Sequence, residues 1–101
     1  MKFGPWYPLA EAAEHAPAGE GVLQLRLASG LLDYPRGKSA MTHYAHAADV
    51  RAAALALAAR FAGRDLVCRH LIEIDGATDL AAFCAKLLAE FERRFGAPPQ
   101  S

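Results

Sequence analysis

Residues Gly21–Arg51 decide the fold of this chain, and they read GVLQLRLASGLLDYPRGKSAMTHYAHAADVR. Three leucines in its first part alternate with polar residues, which is the period of a half-buried strand. Ser29-Gly30 can supply the positive φ of a tight turn before a second apolar run, Leu31 to Tyr34. The pattern therefore predicts a hairpin within residues 21–34. A basic loop, a β-like stretch over 41–45 and a helix opening near Asp49 are expected to follow it.

Two longer helices and a third strand are predicted further along the chain. The segment Ala48–Ala62 is rich in alanine and leucine, and Gly63 can end it. The segment Leu66–Ile74 reads as a strand that is partly apolar on both faces, so we expect it to be covered on both sides. Apolar residues recur every three or four positions over 79–95. Thr78 or Asp79 can cap this helix, and Gly96 can terminate it.

The first 20 residues are expected to pack on this unit. Phe3, Trp6 and Tyr7 lie among prolines in the segment Met1–Pro8, which indicates an aromatic arm across the core; stacking on bases is the alternative. A short helix is predicted over Leu9–Ala16. Residues 1–101 then form one α+β domain. We expect a small three-stranded antiparallel sheet flanked by helices, in the order β-β-α-β-α.

Composition narrows the class of protein. A chain of 101 residues with 53% apolar residues matches one ordinary globular domain. No apolar run approaches the roughly 20 residues that a membrane helix needs, and the first residues lack a signal-peptide core. Two cysteines, Cys68 and Cys84, are too few for a disulfide scaffold. We therefore expect a cytoplasmic protein that does not bind membranes.

Charge is unevenly distributed although the formal total is zero. Residues 26–69 carry seven basic side chains against three acidic ones, while both flanks are acidic. A basic middle segment is typical of a surface that binds a polyanion, or else of an ordinary solvated surface. The neutral total argues against a dedicated, high-affinity nucleic-acid binder.

The order of these elements and three short motifs resemble the GIY-YIG nuclease superfamily. The motifs are Gly21-Val22-Leu23, Tyr44-Ala45 and the helix start Ala48-Asp49-Val50-Arg51. The later strand and the final helix before Pro98-Pro99 fit the same layout. The resemblance implies nucleic-acid binding and metal-dependent phosphodiester hydrolysis. In this chain Leu23 stands where the family has its first tyrosine.

The resemblance also implies roles for particular side chains. Glu90 would hold Mg²⁺ through its carboxylate, as hard cations in phosphate sites often require. Tyr44 would orient or deprotonate a water molecule, and His43 or His46 would replace it as the base. Arg51 is the nearest guanidinium group that can meet the phosphate. This set suffices for catalysis only if the side chains converge.

The loop Arg36-Gly37-Lys38-Ser39 is a candidate anion site, because two cations flank backbone amides that can face an anion. It resembles the end of a P-loop, but Leu32 replaces the glycine that nucleotide binding would require. A zinc site from the histidines and Cys68 is not expected, because these strand positions do not share a face. Two functions remain: a GIY-YIG-like nucleic-acid binder, and a non-catalytic interaction or homodimerisation module.

Overall fold

The computed structural model of the protein describes residues 1–100, so Ser101 of the predicted domain lies outside the described part. The strands are β1 (Lys2–Phe3), β2 (Tyr7–Pro8), β3 (Gly21–Leu27), β4 (Leu32–Tyr34), β5 (Gly37–Ser39), β6 (Met41–Ala47) and β7 (Leu66–Glu73). The helices are α1 (Ala12–His15), α2 (Val50–Arg60) and α3 (Leu80–Phe95), and a 3₁₀ turn, Leu9–Glu11, precedes α1. The combination of antiparallel sheets with helices packed on them confirms the α+β class.

The main sheet has five strands, not the three that were predicted. Its order is β1-β7-β3-β6, and β2 pairs with β7 on the same side as β1. All of these pairs are antiparallel, and β3 is the central strand. The two extra strands come from the aromatic arm, since Met1–Pro8 hydrogen-bonds to the outer edge of β7 instead of only lying across the core.

The prediction that residues 21–34 form a hairpin is wrong. Strand β3 pairs with β6, which is as long as β3 and places Ala45 opposite Leu23. Strand β4 pairs instead with β5, where Tyr34 lies opposite Gly37. The turn Pro35-Arg36 therefore closes a separate two-stranded ribbon inside the longer hairpin. Strand β6 pairs with β3 from Gly21 to Arg26, whereas β4, with three residues, could pair with only part of β3.

The helices cover both faces of the sheet, as the apolar pattern of β7 predicted. Leu23 and Leu25 of β3 pack with Cys68 and with Ala54 and Leu57 of α2 in one core cluster. On the other face, Val22 and Leu71 pack with Leu80 and Cys84 of α3 in a second cluster. Alternation along β3 therefore sends its leucines toward α2, and Val22, Gln24 and Arg26 toward α3.

The helix ends follow the predicted signals. The side chains of Asp49 and Asp79 accept hydrogen bonds from Ala52 N and Ala82 N at the starts of α2 and α3. Gly96 ends α3 in the left-handed region at φ 83°. No helix within residues 1–100 is long and apolar enough to cross a membrane.

Candidate functional site

A polar row crosses the α3-facing side of the sheet. Gln24 of β3 lies in register with Arg69 on one side and Tyr44 on the other. Gln24 is only 4% exposed, and its Oε1 accepts a hydrogen bond of 2.8 Å from Arg69 Nε. Because Gln24 is buried and its side-chain carbonyl accepts this hydrogen bond, it fixes the Arg69 guanidinium group against the sheet.

The arm places aromatic rings over this row. The Arg69 guanidinium lies 4.7 Å from the ring centre of Phe3 and 4.5 Å from that of Trp6. The Arg26 guanidinium lies 4.1 Å from the same Trp6 ring. We call these four residues, Phe3, Trp6, Arg26 and Arg69, the stacked column. Cation–π attraction holds the arm to the sheet and keeps both guanidinium groups at one place.

The stacked column carries two positive charges. Among residues 1–100 neither Arg26 nor Arg69 forms an ion pair with a carboxylate. Burial, and then the neighbouring charge of Arg26, hold the pKa of the Arg69 guanidinium below its usual range. Arg69 stays charged at neutral pH because the ordinary pKa of a guanidinium group is very high. This place therefore favours an incoming anion.

A cavity adjoins the polar row at Tyr44. Its volume is about 340 Å³, and its wall is formed by Tyr44, Leu87, Glu90, Phe91, Arg93, Arg94 and Phe95. The ring centres of Tyr44 and Phe91 lie 5.7 Å apart, and those of Phe91 and Phe95 lie 4.6 Å apart. Burial raises the pKa of the Tyr44 hydroxyl, while the charge of Arg69 opposes this rise. Tyr44 therefore stays a neutral hydroxyl at physiological pH.

The structure brings together two of the residues that the family resemblance implied. Tyr44 and Glu90 line the same cavity. Arg51 does not line it; its Nε donates a 2.7 Å hydrogen bond to the carbonyl oxygen of Ala16 beside α1. His43 lies opposite Leu25 on the α2 side of the sheet, and His46 Nε2 lies 2.6 Å from a carboxylate oxygen of Glu20. The nuclease roles of these side chains stay predictions.

The candidate anion loop lies on the β4–β5 ribbon, where its side chains have other partners. The Arg36 guanidinium donates hydrogen bonds to the carbonyl oxygens of Glu92 and Arg93, and so caps the end of α3. Lys38 Nζ lies 3.6 Å from the Asp33 carboxylate, and Ser39 Oγ accepts a bond from Met41 N. Gly37 provides the turn at φ 115°. Arg51 shares none of these contacts, because its guanidinium group lies at the start of α2 beside Ala16.

The donors around the cavity bear on the Mg²⁺ prediction. Glu90 is the one carboxylate among the described residues that line it, and two guanidinium groups line it as well. Mg²⁺ prefers oxygen ligands, and nearby positive charges weaken its binding. The wall of the cavity thus fits a neutral or anionic ligand better than a resident divalent cation.

Sequence reasoning did not select the residues of the stacked column. Alternation already placed Gln24 and Arg26 on one face of β3, and it placed Arg69 with Leu71 on one face of β7. For the arm, packing across the core was the prediction, and stacking on bases was the alternative. The sequence did not reveal the register between β3, β7 and the arm. This register pairs residues that are far apart in the sequence, such as Gln24 with Arg69.

Comparison of the chain with protein-family models, with curated proteins and with solved structures gave no match in any of the three. The resemblance to the GIY-YIG superfamily accordingly stays a prediction. The geometry of the site is an antiparallel sheet whose half-buried face carries an indole ring, an adjoining aromatic cavity and two guanidinium groups that form no ion pair within residues 1–100.

Proposed function

We propose that the protein binds single-stranded nucleic acid on the α3-facing side of its sheet, over the stacked column. The observation that carries this proposal is the pair of guanidinium groups on one indole ring with no carboxylate partner among residues 1–100. Phosphate is a natural partner for such a pair, because arginine binds phosphate oxygens through two parallel hydrogen bonds.

Unpaired bases fit this surface better than a duplex does. Bases of a single strand stack on aromatic rings and on the planes of arginine side chains. The guanidinium planes of Arg26 and Arg69, which lie over the Trp6 and Phe3 rings, offer such surfaces on one side of the sheet. Tyr44, which is half-buried on β6, lies on the same side of the sheet beyond the buried Gln24. A duplex hides its base faces and would contact this surface only through phosphates.

Binding is better supported than hydrolysis. Of the residues that hydrolysis would use, Tyr44 and Glu90 share the cavity, whereas Arg51 contacts Ala16. Leu23, at the position of the family's first tyrosine, is fully buried in the core cluster below α2. Phosphoryl-transfer catalysis needs cations and a base aimed at one reacting phosphate. The alternative function, an interaction or homodimerisation module, stays a prediction.

The single tryptophan makes the proposal directly testable, because Trp6 is part of the stacked column. Titration with a short single-stranded oligonucleotide at low salt should quench or shift its fluorescence. Binding should weaken with rising salt, with a slope of roughly 0.7 for each phosphate contact. Arg26→Gln should weaken binding severalfold and lower that slope by about 0.7.

Arg64→Gln is the matched control. The Arg64 guanidinium also lies over an aromatic ring, that of Phe61, at 5.0 Å, but this ring belongs to the core cluster on the α2 side. The control should bind like the unaltered protein. The proposal is refuted if the unaltered protein leaves a labelled oligonucleotide free at low salt, or if both variants bind equally well.

A further inference from the structure

We infer that the cavity beside Tyr44 holds one base of the bound strand and selects a base with an exocyclic amino group. This inference rests on the proposed function and extends it from binding to base preference. Cytosine is the amino-bearing pyrimidine, and thymine has a carbonyl group at the equivalent position. The cavity is therefore expected to favour cytosine over thymine.

The position of the cavity supports this inference. Tyr44 lines the cavity, and only the buried Gln24 of β3 stands between it and Arg69 in the polar row, so the cavity and the stacked column lie on the same side of the sheet, one strand apart. Two strand spacings separate Arg69 from Tyr44, a distance of roughly 10 Å. Neighbouring nucleotides of one strand can then reach both places. A single strand over Arg69 can therefore place a base at Tyr44.

The size and walls of the cavity suit a base. Its volume of about 340 Å³ lies near the lower end of the roughly 300–1,000 Å³ range of small-molecule sites, which fits one small ligand. The half-buried rings of Tyr44 and Phe95 give it aromatic walls on which a base can stack, and the buried Phe91 ring packs against both of them. Leu87 adds an apolar side. A flat aromatic ligand gains from each of these surfaces.

Glu90 provides the selection. An ionised carboxylate only accepts hydrogen bonds, so it pairs with an amino group and repels a carbonyl oxygen. Among residues 1–100 the Glu90 carboxylate forms no ion pair, so its oxygens are available to a ligand. Glutamate is a known partner of the cytosine amino group. Arg93 and Arg94, on the same wall, can meet the phosphates beside that base.

The test compares two oligonucleotides of equal length and charge, oligo-dC and oligo-dT, by anisotropy of a labelled strand at pH 7.5. Oligo-dC should bind at least about fivefold more tightly, the lower end of what a good side-chain–base pair provides. The salt dependence should be the same for both, because their phosphates are the same. Glu90→Gln should remove most of the preference, since a carboxamide both donates and accepts.

Glu92→Gln is the matched control, because it removes an equal charge two residues away, outside the wall of the cavity. It should keep the cytosine preference. Leu87→Phe, which narrows the cavity, should weaken oligo-dC binding without changing the salt slope. Equal salt-sensitive binding of both oligonucleotides, or a preference that survives in Glu90→Gln, would overturn the inference and leave the proposed function standing. Absence of binding to either oligonucleotide would overturn both.

Discussion

Replacing Phe91 by alanine should destabilise the protein strongly, because this ring joins three structural elements. Phe91 is 5% exposed, and its ring centre lies 5.0 Å from Tyr34 of the ribbon, 5.7 Å from Tyr44 of β6 and 4.6 Å from Phe95 of α3. Truncating a buried phenylalanine costs about 3–5 kcal/mol, from lost burial and from the space left behind. The ring borders a cavity already, so collapse around the truncated side chain would recover little of this loss.

Urea denaturation followed by circular dichroism measures the change in the free energy of unfolding. The total free energy of unfolding of a small domain is roughly 5–15 kcal/mol, so the variant should lose a large share of its stability. The melting temperature should fall by at least about 12 °C, at roughly 4 °C for each kcal/mol. Leu55→Ala is the control, because Leu55 is 44% exposed on α2 and should change little. A loss below about 1 kcal/mol in Phe91→Ala would refute this account of the packing.

Two further predictions concern stability. Thr42 is 1% exposed, and its hydroxyl has no hydrogen-bond partner among the described residues. Thr42→Val should therefore raise the free energy of unfolding, measured in urea, by about 1 kcal/mol. A lower free energy of unfolding in this variant would mean that the hydroxyl is hydrogen-bonded. Burial, then the charge of Arg60, lowers the pKa of His43, and burial, then His15, lowers that of His70. Just below about pH 6.5 these histidines therefore bind more protons in the unfolded chain than in the folded protein, so the free energy of unfolding should fall from pH 7.5 to pH 5.5. The double change His43→Gln with His70→Gln should make this fall smaller.

Local signals predicted the helices and the long strands well. Asp49, Asp79 and Gly96 mark helix ends by mechanisms that involve only neighbouring residues, and the structure confirms each of them. Alternation likewise located β3 and β7 to within a residue or two. These features were predictable because each depends on a few consecutive side chains.

Pairing of the strands was harder to predict. Residues 29–34 carry a plausible turn and an apolar run, yet β4 pairs with β5 and leaves β3 to β6. Which strand pairs with β3 depends on how much of β3 each candidate strand can cover. This in turn depends on contacts between residues that are far apart in the sequence. The arm shows the same limit, since its pairing with β7 joins residues 2–8 to residues 67–73, which are far apart in the sequence. The stacked column inherits that limit, because register alone brings Trp6, Arg26 and Arg69 together.

The arrangement at this end of the sheet breaks several rules that favour stability, and this is an argument for function. Arg26 and Arg69 are adjacent like charges without a carboxylate among residues 1–100. The register of β3 against β6 shifts between Leu25 and Arg26, so Thr42 is the extra residue of a β-bulge and keeps an unsatisfied hydroxyl. Bulges and unsatisfied groups concentrate near binding sites, where the native structure tolerates a local cost. An anion on the column would relieve the repulsion between the two cations. The protein should therefore become more stable when a single-stranded oligonucleotide is bound.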